Sequence, residues 1–181
     1  GMSSAASDVY KRQVMAEGEI AYAPRTENYH YEMELVFALK SGGTKITEAD
    51  ALSHIYGCAA GLDMTRRDLQ NKAKENRKPW DTAKDVDESA VITPLRQMSE
   101  VPSVASGRIH LSQNGTVKQD ADLSEMVWSV PEIIADLSTM YTLQQGDVIY
   151  MGTPAGVGAV SRGDVLAGGV EGIGDFEVKI A

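Results

Sequence analysis

The chain has 181 residues, of which 43% are hydrophobic and 24% charged. That suits one globular domain of ordinary size. A net charge of −9 makes nucleic acid and anionic membranes poor partners, and no apolar run is long enough to span a bilayer. The single cysteine, Cys58, excludes an internal disulfide framework and a Cys-rich zinc site, and it suits a reducing cytoplasm.

Gly1 and Met2 read as an expression remnant ahead of a start codon. Residues 1–17 are expected to form a poorly ordered segment, and 18–181 a single domain. Tyr31, Met33, Leu35, Phe37 and Leu39 alternate, the period of a strand across 29–39. KSGGTK (40–45) is a turn, and Thr47 with Asp50 three residues on is a helix start. Leu52, Ile55 and Tyr56 would be the apolar stripe of that helix, ended by Gly57. Residues 58–63 are small and apolar, a buried strand, and 66–77 suit a polar helix stopped by Pro79-Trp80. Asn114-Gly115 predicts a type I′ hairpin over 108–119. Ser129-Val130-Pro131-Glu132 starts a helix with Ile133, Ile134, Leu137 and Tyr141 on its apolar face. Strands are expected at 147–151 and 175–180, the latter with Phe176, Val178 and Ile180 on one face. Many strands with few helices indicate an α+β or mainly-β fold.

Glu32 and Glu34 are the informative pair. On a strand they share a face, roughly 6–7 Å apart, and at an effective dielectric near 20 they repel by roughly 2–3 kcal/mol. Either solvent screens them or a cation bridges them. An oxygen-only ligand set suits Mg²⁺, Mn²⁺ or Ca²⁺ rather than zinc. Asp63 is a candidate third ligand, or else a helix cap. Residues 66–84 carry seven basic side chains against three acidic ones, a segment able to hold an anionic small molecule. In it Lys72 and Lys74 read as solvated helix residues. The loop GTPAGVG (152–158) can offer backbone N–H groups and the Thr153 hydroxyl to an anion, or be a plain turn; it has neither the P-loop nor the dinucleotide pattern. His54 and His30 read as structural, His110 as solvent-facing, Cys58 as a small buried residue, and Trp80 and Trp128 as packing residues.

HYEMEL (30–35), GLDMTRRDLQ (61–70), KPWDTAK (78–84) and GDVIYMGTPAGVGAV (146–160), in this order, resemble the fumarylacetoacetate hydrolase family. The likeness covers roughly residues 18–180. Within the family the chain is most similar to the bacterial branch that hydrolyses fumarylpyruvate in gentisate breakdown. The resemblance implies a mixed β-sandwich roll, usually a homodimer in the cytoplasm. It implies a divalent metal, Mg²⁺ with Mn²⁺ or Ca²⁺ as substitutes, on Glu32, Glu34 and Asp63. It implies Lys84 as the catalytic, substrate-facing lysine, and Arg67, Gln70 and Thr153 as further substrate-binding groups. The reaction would be hydrolysis of a carbon–carbon bond in an acylpyruvate, yielding fumarate and pyruvate from fumarylpyruvate. The same scaffold supports oxaloacetate decarboxylation and isomerisation of hydroxy-diene diacids.

Two departures from the family pattern set further expectations. After Lys84 the chain reads DVDESAVITP, where relatives have an aromatic residue and a Ser/Ala-Pro sequence. Family hydrolases also carry a His and a Glu on an N-terminal lid, and no histidine precedes His30. The expectation is a protein that binds metal and acylpyruvate but turns over slowly, in the limit a metal-binding dimer. His30 is the next candidate for the base.

Overall fold

The computed structural model describes residues 13–15 and 17–181. In chain order the first half holds β1 (Gln13–Met15), β2 (Glu17–Ile20), β3 (Tyr29–Tyr31), β4 (Met33–Leu39), α1 (Glu48–Ala51), β5 (Ile55–Asp63), β6 (Thr65–Arg66), α2 (Arg67–Glu75), α3 (Asp81–Lys84), β7 (Ala90–Ile92) and β8 (Arg96–Gln97). The second half holds β9 (Arg108–Gln113), β10 (Thr116–Asp122), α4 (Val130–Met140), β11 (Val148–Tyr150), β12 (Gly158–Ala159), β13 (Val165–Val170) and β14 (Gly174–Ile180).

The strands form three sheets. One runs β1-β7-β5-β4-β11, with β8 also on β5; the second runs β10-β9-β13-β14-β2; a small third runs β12-β3-β6. The pairs β1–β7 and β14–β2 are parallel, the others antiparallel. These are the mixed sheets and few helices of the expected roll. The two large sheets pack face to face, β5 against β13 and β14 and β4 against β9. Their shared core includes Leu35, Phe37, Leu62, Leu111, Leu166, Val178 and Ile180, all 0–1% exposed. A smaller cluster of Val36, Ala59, Ala90, Ile92 and Tyr150 covers the other face of the first sheet. The central strands β4 and β5 are therefore buried on both sides.

Several local expectations are met for the stated reasons. Thr47 caps α1 by accepting from the Asp50 N–H. Ser129 and Glu132 form a reciprocal capping box at α4, with Pro131 in its first turn. Asn114 and Gly115 both take positive φ, as a type I′ turn requires. Other expectations need correction. The helix after Thr47 does not extend through Tyr56: its α-helical part ends at Ala51, a 3-10 turn follows over Leu52–His54, and Ile55 opens β5. Leu52 and Tyr56 are exposed, so no apolar stripe holds a longer helix down. Gly57 lies inside β5, where a Cβ would overlap the Arg96 carbonyl of β8. Tyr141 is 55% exposed and ends α4 rather than facing the core. Trp80 and Trp128 are also largely exposed; Trp80 instead carries the Lys74 ammonium over its ring. His110 is half-buried, its Nδ1 enclosed without a partner among the described residues.

Of the segment 1–17, residues 1–12 and 16 lie outside the described residues. Gln13–Met15 pair with β7, and Glu17 opens β2. No described helix is long and apolar enough to cross a membrane.

Candidate metal centre

The centre forms where β3 gives way to β4 beside the end of β5. Glu32 sits in the break between the two strands, and its carbonyl accepts from the Asp63 N–H at 2.9 Å. Glu34, two residues on, pairs with Gly61 of β5. That register brings Asp63, the last residue of β5, against both glutamates. A Cβ at Gly61 would meet Val91 O, Val36 and Tyr150, all within 3 Å; the glycine allows the layers around this corner to close.

Glu32, Glu34 and Asp63 are each 1–2% exposed, and one carboxylate oxygen from each lies within 4.8 Å of the others. Three buried acids at such distances demand positive charge. The Lys84 ammonium, at the end of α3, donates to Glu32 Oε2 at 2.6 Å, to Asp63 Oδ2 at 2.6 Å and to the Thr65 hydroxyl at 2.7 Å. Arg67, the first residue of α2, donates from Nη2 to Glu32 Oε1 and from Nη1 to Gln70 Oε1, both at 2.5 Å. Glu34 Oε2 accepts from the Gly152 N–H at 2.7 Å. Burial opposes the charge on Lys84, but Asp63 and Glu32 outweigh it and raise the lysine pKa, so the ammonium persists at neutral pH. Burial first, then the charges of Asp63 and Glu32, push the Glu34 carboxyl well above the usual carboxylate range.

Among the described residues, Arg67 and Lys84 are the cations paired with Glu32, and Lys84 is also paired with Asp63. The set of three carboxylates fits a hard divalent cation: it is oxygen-only, converging and buried, and Glu34 is a carboxyl whose ionisation such a cation would favour.

Six of the seven residues singled out in the sequence thus meet at one corner: Glu32, Asp63, Lys84, Arg67 and Gln70 are linked by hydrogen bonds, and Glu34 lies against Glu32 and Asp63. Thr153 lies next to Gly152 but bonds none of the six. Its Oγ1 accepts from Gln119 Nε2 at 2.8 Å. The Gly152 N–H is a backbone donor of the kind the glycine loop could offer; Thr65 and Gln119 were not anticipated, being single polar groups on strands with no spacing that marks them. Arg66 was also missed as a support. Its guanidinium donates to the carbonyls of Pro24 and Thr82, which holds α3, and with it Lys84, against β6. The remaining basic residues of the segment, Lys72, Lys74, Arg77 and Lys78, are exposed.

His30 is a satisfied structural histidine. Nε2 meets Asn28 Oδ1 at 2.8 Å and Nδ1 faces Arg67 Nε at 3.4 Å. Since Asn28 Oδ1 and Arg67 N–H leave no choice of roles, Nε2 carries the proton and Nδ1 accepts. Burial, then the Arg67 charge, hold its pKa below the usual value. The expectation about an N-terminal lid falls on the segment 1–17, of which residues 1–12 and 16 lie outside the described residues.

The comparisons bear on the same corner. The fumarylacetoacetate (FAA) hydrolase C-terminal family matches residues 9–181. A fumarylpyruvate hydrolase of a Ralstonia species is 52% identical over 89% of this chain and 83% of its own length. A mitochondrial oxaloacetate tautomerase of Rattus norvegicus is 35% identical over 88% of this chain and 76% of its own. A crystal structure of fumarylpyruvate hydrolase from Pseudomonas aeruginosa, in complex with Mn²⁺ and pyruvate, superposes with a TM-score of 0.90. It is 42% identical and covers 93% of this chain and 73% of that one. With a match over nearly its whole length, and a fold built around buried acids on β4 and β5, the chain belongs to the fumarylacetoacetate hydrolase family.

Proposed function

We propose that the protein is a divalent-metal-dependent hydrolase that cleaves the carbon–carbon bond of an acylpyruvate, taking fumarylpyruvate to fumarate and pyruvate. The observation that carries this reading is the buried Glu32–Glu34–Asp63 cluster with Lys84 and Arg67 on it. It occurs in a chain 52% identical to a fumarylpyruvate hydrolase, against 35% for the tautomerase. The relative that holds Mn²⁺ and pyruvate supports both the cation and the pyruvoyl end of the substrate.

In this reading Glu32, Glu34 and Asp63 hold the ion, with Mg²⁺ as the working metal and Mn²⁺ as its substitute. The ion supplies Lewis-acid polarisation of a substrate oxygen when bound. Arg67, Gln70 and the Thr153 hydroxyl orient the substrate carboxylate. Lys84 keeps a desolvated ammonium beside the oxygen on which negative charge develops. Water adds to the distal carbonyl carbon, and the bond to the pyruvoyl methylene breaks with its electron pair. That pair leaves as the pyruvate enolate, which takes up one proton of the water to give pyruvate, while the acyl carbon keeps the water oxygen as fumarate and the second proton is released to solvent.

The finer setting follows from the same likeness. We propose a homodimer of the breakdown route for aromatic compounds, supported by the exposed apolar side chains Leu52, Tyr56, Val127, Trp128 and Met140. Cys58, a buried free thiol, suits a cytoplasmic setting. Light scattering should return twice the mass of one chain. The test of function is loss of fumarylpyruvate, with release of pyruvate, by protein stripped with a chelator and reloaded. Activity that returns only with Mg²⁺ or Mn²⁺ supports the reading. Undiminished activity after stripping, or none after reloading, contradicts it.

A further inference from the structure

Gln119 is the only fully buried residue of β10, 0% exposed on a strand otherwise half-buried or solvated. A bulge between Val117 and Gln119 interrupts the pairing with β9. The bulged residue, Lys118, turns its carbonyl against the glycine loop so closely that a Cβ at Gly156 would overlap it. Gly156 also takes φ +103°, so the loop reaches the bulge only with glycine there.

The amide of Gln119 spans the gap between that loop and the metal strand. Its Oε1 lies 3.1 Å from the N–H of Met33, the residue between Glu32 and Glu34. Its Nε2 lies 2.8 Å from the Pro154 carbonyl and 2.8 Å from Thr153 Oγ1. The roles are forced. The Met33 N–H can only donate, so it faces the amide oxygen. The Pro154 carbonyl can only accept, so it faces the amide nitrogen. The second amide hydrogen then goes to Thr153 Oγ1, which acts as acceptor. Thr153 cannot spend its own hydrogen on Gln119, and that hydrogen has no acceptor among the described residues.

We propose that Gln119 is a positioning residue that makes Thr153 a hydrogen-bond donor to an oxygen of the substrate carboxylate, while tying the substrate loop to the strand that carries Glu32 and Glu34. This rests on the substrate role given to Thr153 above. A threonine hydroxyl alone can turn either way; one whose oxygen already accepts from an amide keeps its hydrogen for an anion.

The experiment is calorimetric titration of pyruvate into the full chain at saturating Mn²⁺, for wild type, Thr153→Val, Gln119→Met and the double variant. A hydrogen bond to a charged group corresponds to a roughly tenfold to hundredfold change in affinity. Thr153→Val and Gln119→Met should each weaken pyruvate binding by at least about tenfold, and the double variant should be no weaker than Thr153→Val. Thr153→Ser, which keeps the hydroxyl, should bind nearly as wild type and remain sensitive to Gln119→Met. Unchanged affinity in Gln119→Met, or an equal further loss on the Thr153→Val background, overturns the proposal and leaves the substrate role of Thr153 intact. Wild-type affinity in Thr153→Val overturns both. If Gln119→Met fails to fold, a wild-type crystal structure with Mn²⁺ and pyruvate decides. It should show Thr153 Oγ1 within hydrogen-bond distance of a pyruvate oxygen while Gln119 Nε2 stays on it. A hydroxyl turned from pyruvate, or an amide turned from the hydroxyl, overturns the proposal.

Discussion

Strands β4 and β14 are each seven residues long and each sits inside a large sheet, yet they treat polar residues in opposite ways. On β14, Phe176, Val178 and Ile180 are buried, while Asp175, Glu177 and Lys179 between them are exposed. Its charges are solvated and cost little. On β4 every residue is buried, because one face meets the shared core and the other meets the cluster around Val36 and Tyr150. Glu34 is therefore an ionisable group on a strand with no wet face. Its neighbours Glu32 and Asp63 make the position worse until cations are supplied. Ionising a carboxyl in such a place costs roughly several kcal/mol of desolvation, so Glu34 does not serve the stability of the strand.

That contrast can be broken by substitutions on the two strands. Phe176→Ala on the buried face of β14 should lower the folding free energy by about 3–5 kcal/mol, with kcat and KM of the folded fraction unchanged. Denaturant titration and steady-state rates check this, and a specific loss of kcat would put β14 in the site. Lys84→Ala should do the reverse. Turnover of fumarylpyruvate should fall roughly 10²–10³-fold, the typical cost of losing a charge-stabilising donor, and more in kcat than in KM. A defect in KM alone would make Lys84 a binding group only. Glu34→Gln should weaken Mn²⁺ binding by calorimetry while raising the melting temperature of metal-free protein at neutral pH, since it removes a carboxyl whose ionisation burial and its acidic neighbours oppose in the folded state only. If instead the metal-free variant is less stable and binds Mn²⁺ normally, Glu34 is a structural residue. Glu177→Gln, on the wet face of β14, should stay within about 0.5 kcal/mol of wild type and leave Mn²⁺ binding untouched.

The same contrast explains what could be read from residues alone. The alternation of β14 reports its one dry face, so its strand and its buried set were legible. The alternation seen in 29–39 described one face of β4 correctly. It said nothing of the second, because burial of Val36 and Ala38 depends on β5, β7 and β11, which arrive from distant sequence. The Glu32–Glu34 spacing raised a metal site as one of two options, and Asp63 stood as a third ligand or a helix cap; family likeness added Lys84. The Lys84 bonds to Glu32 and Asp63 reach across 52 and 21 residues, a meeting no local pattern records. Gln119 was illegible for a further reason: its burial follows from a bulge, and a one-residue slip reassigns a strand residue from one face to the other. The helix started by Thr47 stops short of Tyr56 because Leu52 and Tyr56 imitate a helical stripe but find no partner surface.

The most direct test of the account is crystallographic: anomalous diffraction at the manganese edge from crystals of this chain grown with Mn²⁺. The account expects one strong peak bounded by oxygens of Glu32, Glu34 and Asp63, with Lys84 Nζ displaced from at least one of the carboxylates it now bonds. A well-ordered structure with Lys84 still on Glu32 and Asp63 and no peak among the three acids, at a Mn²⁺ concentration that supports turnover, would contradict it.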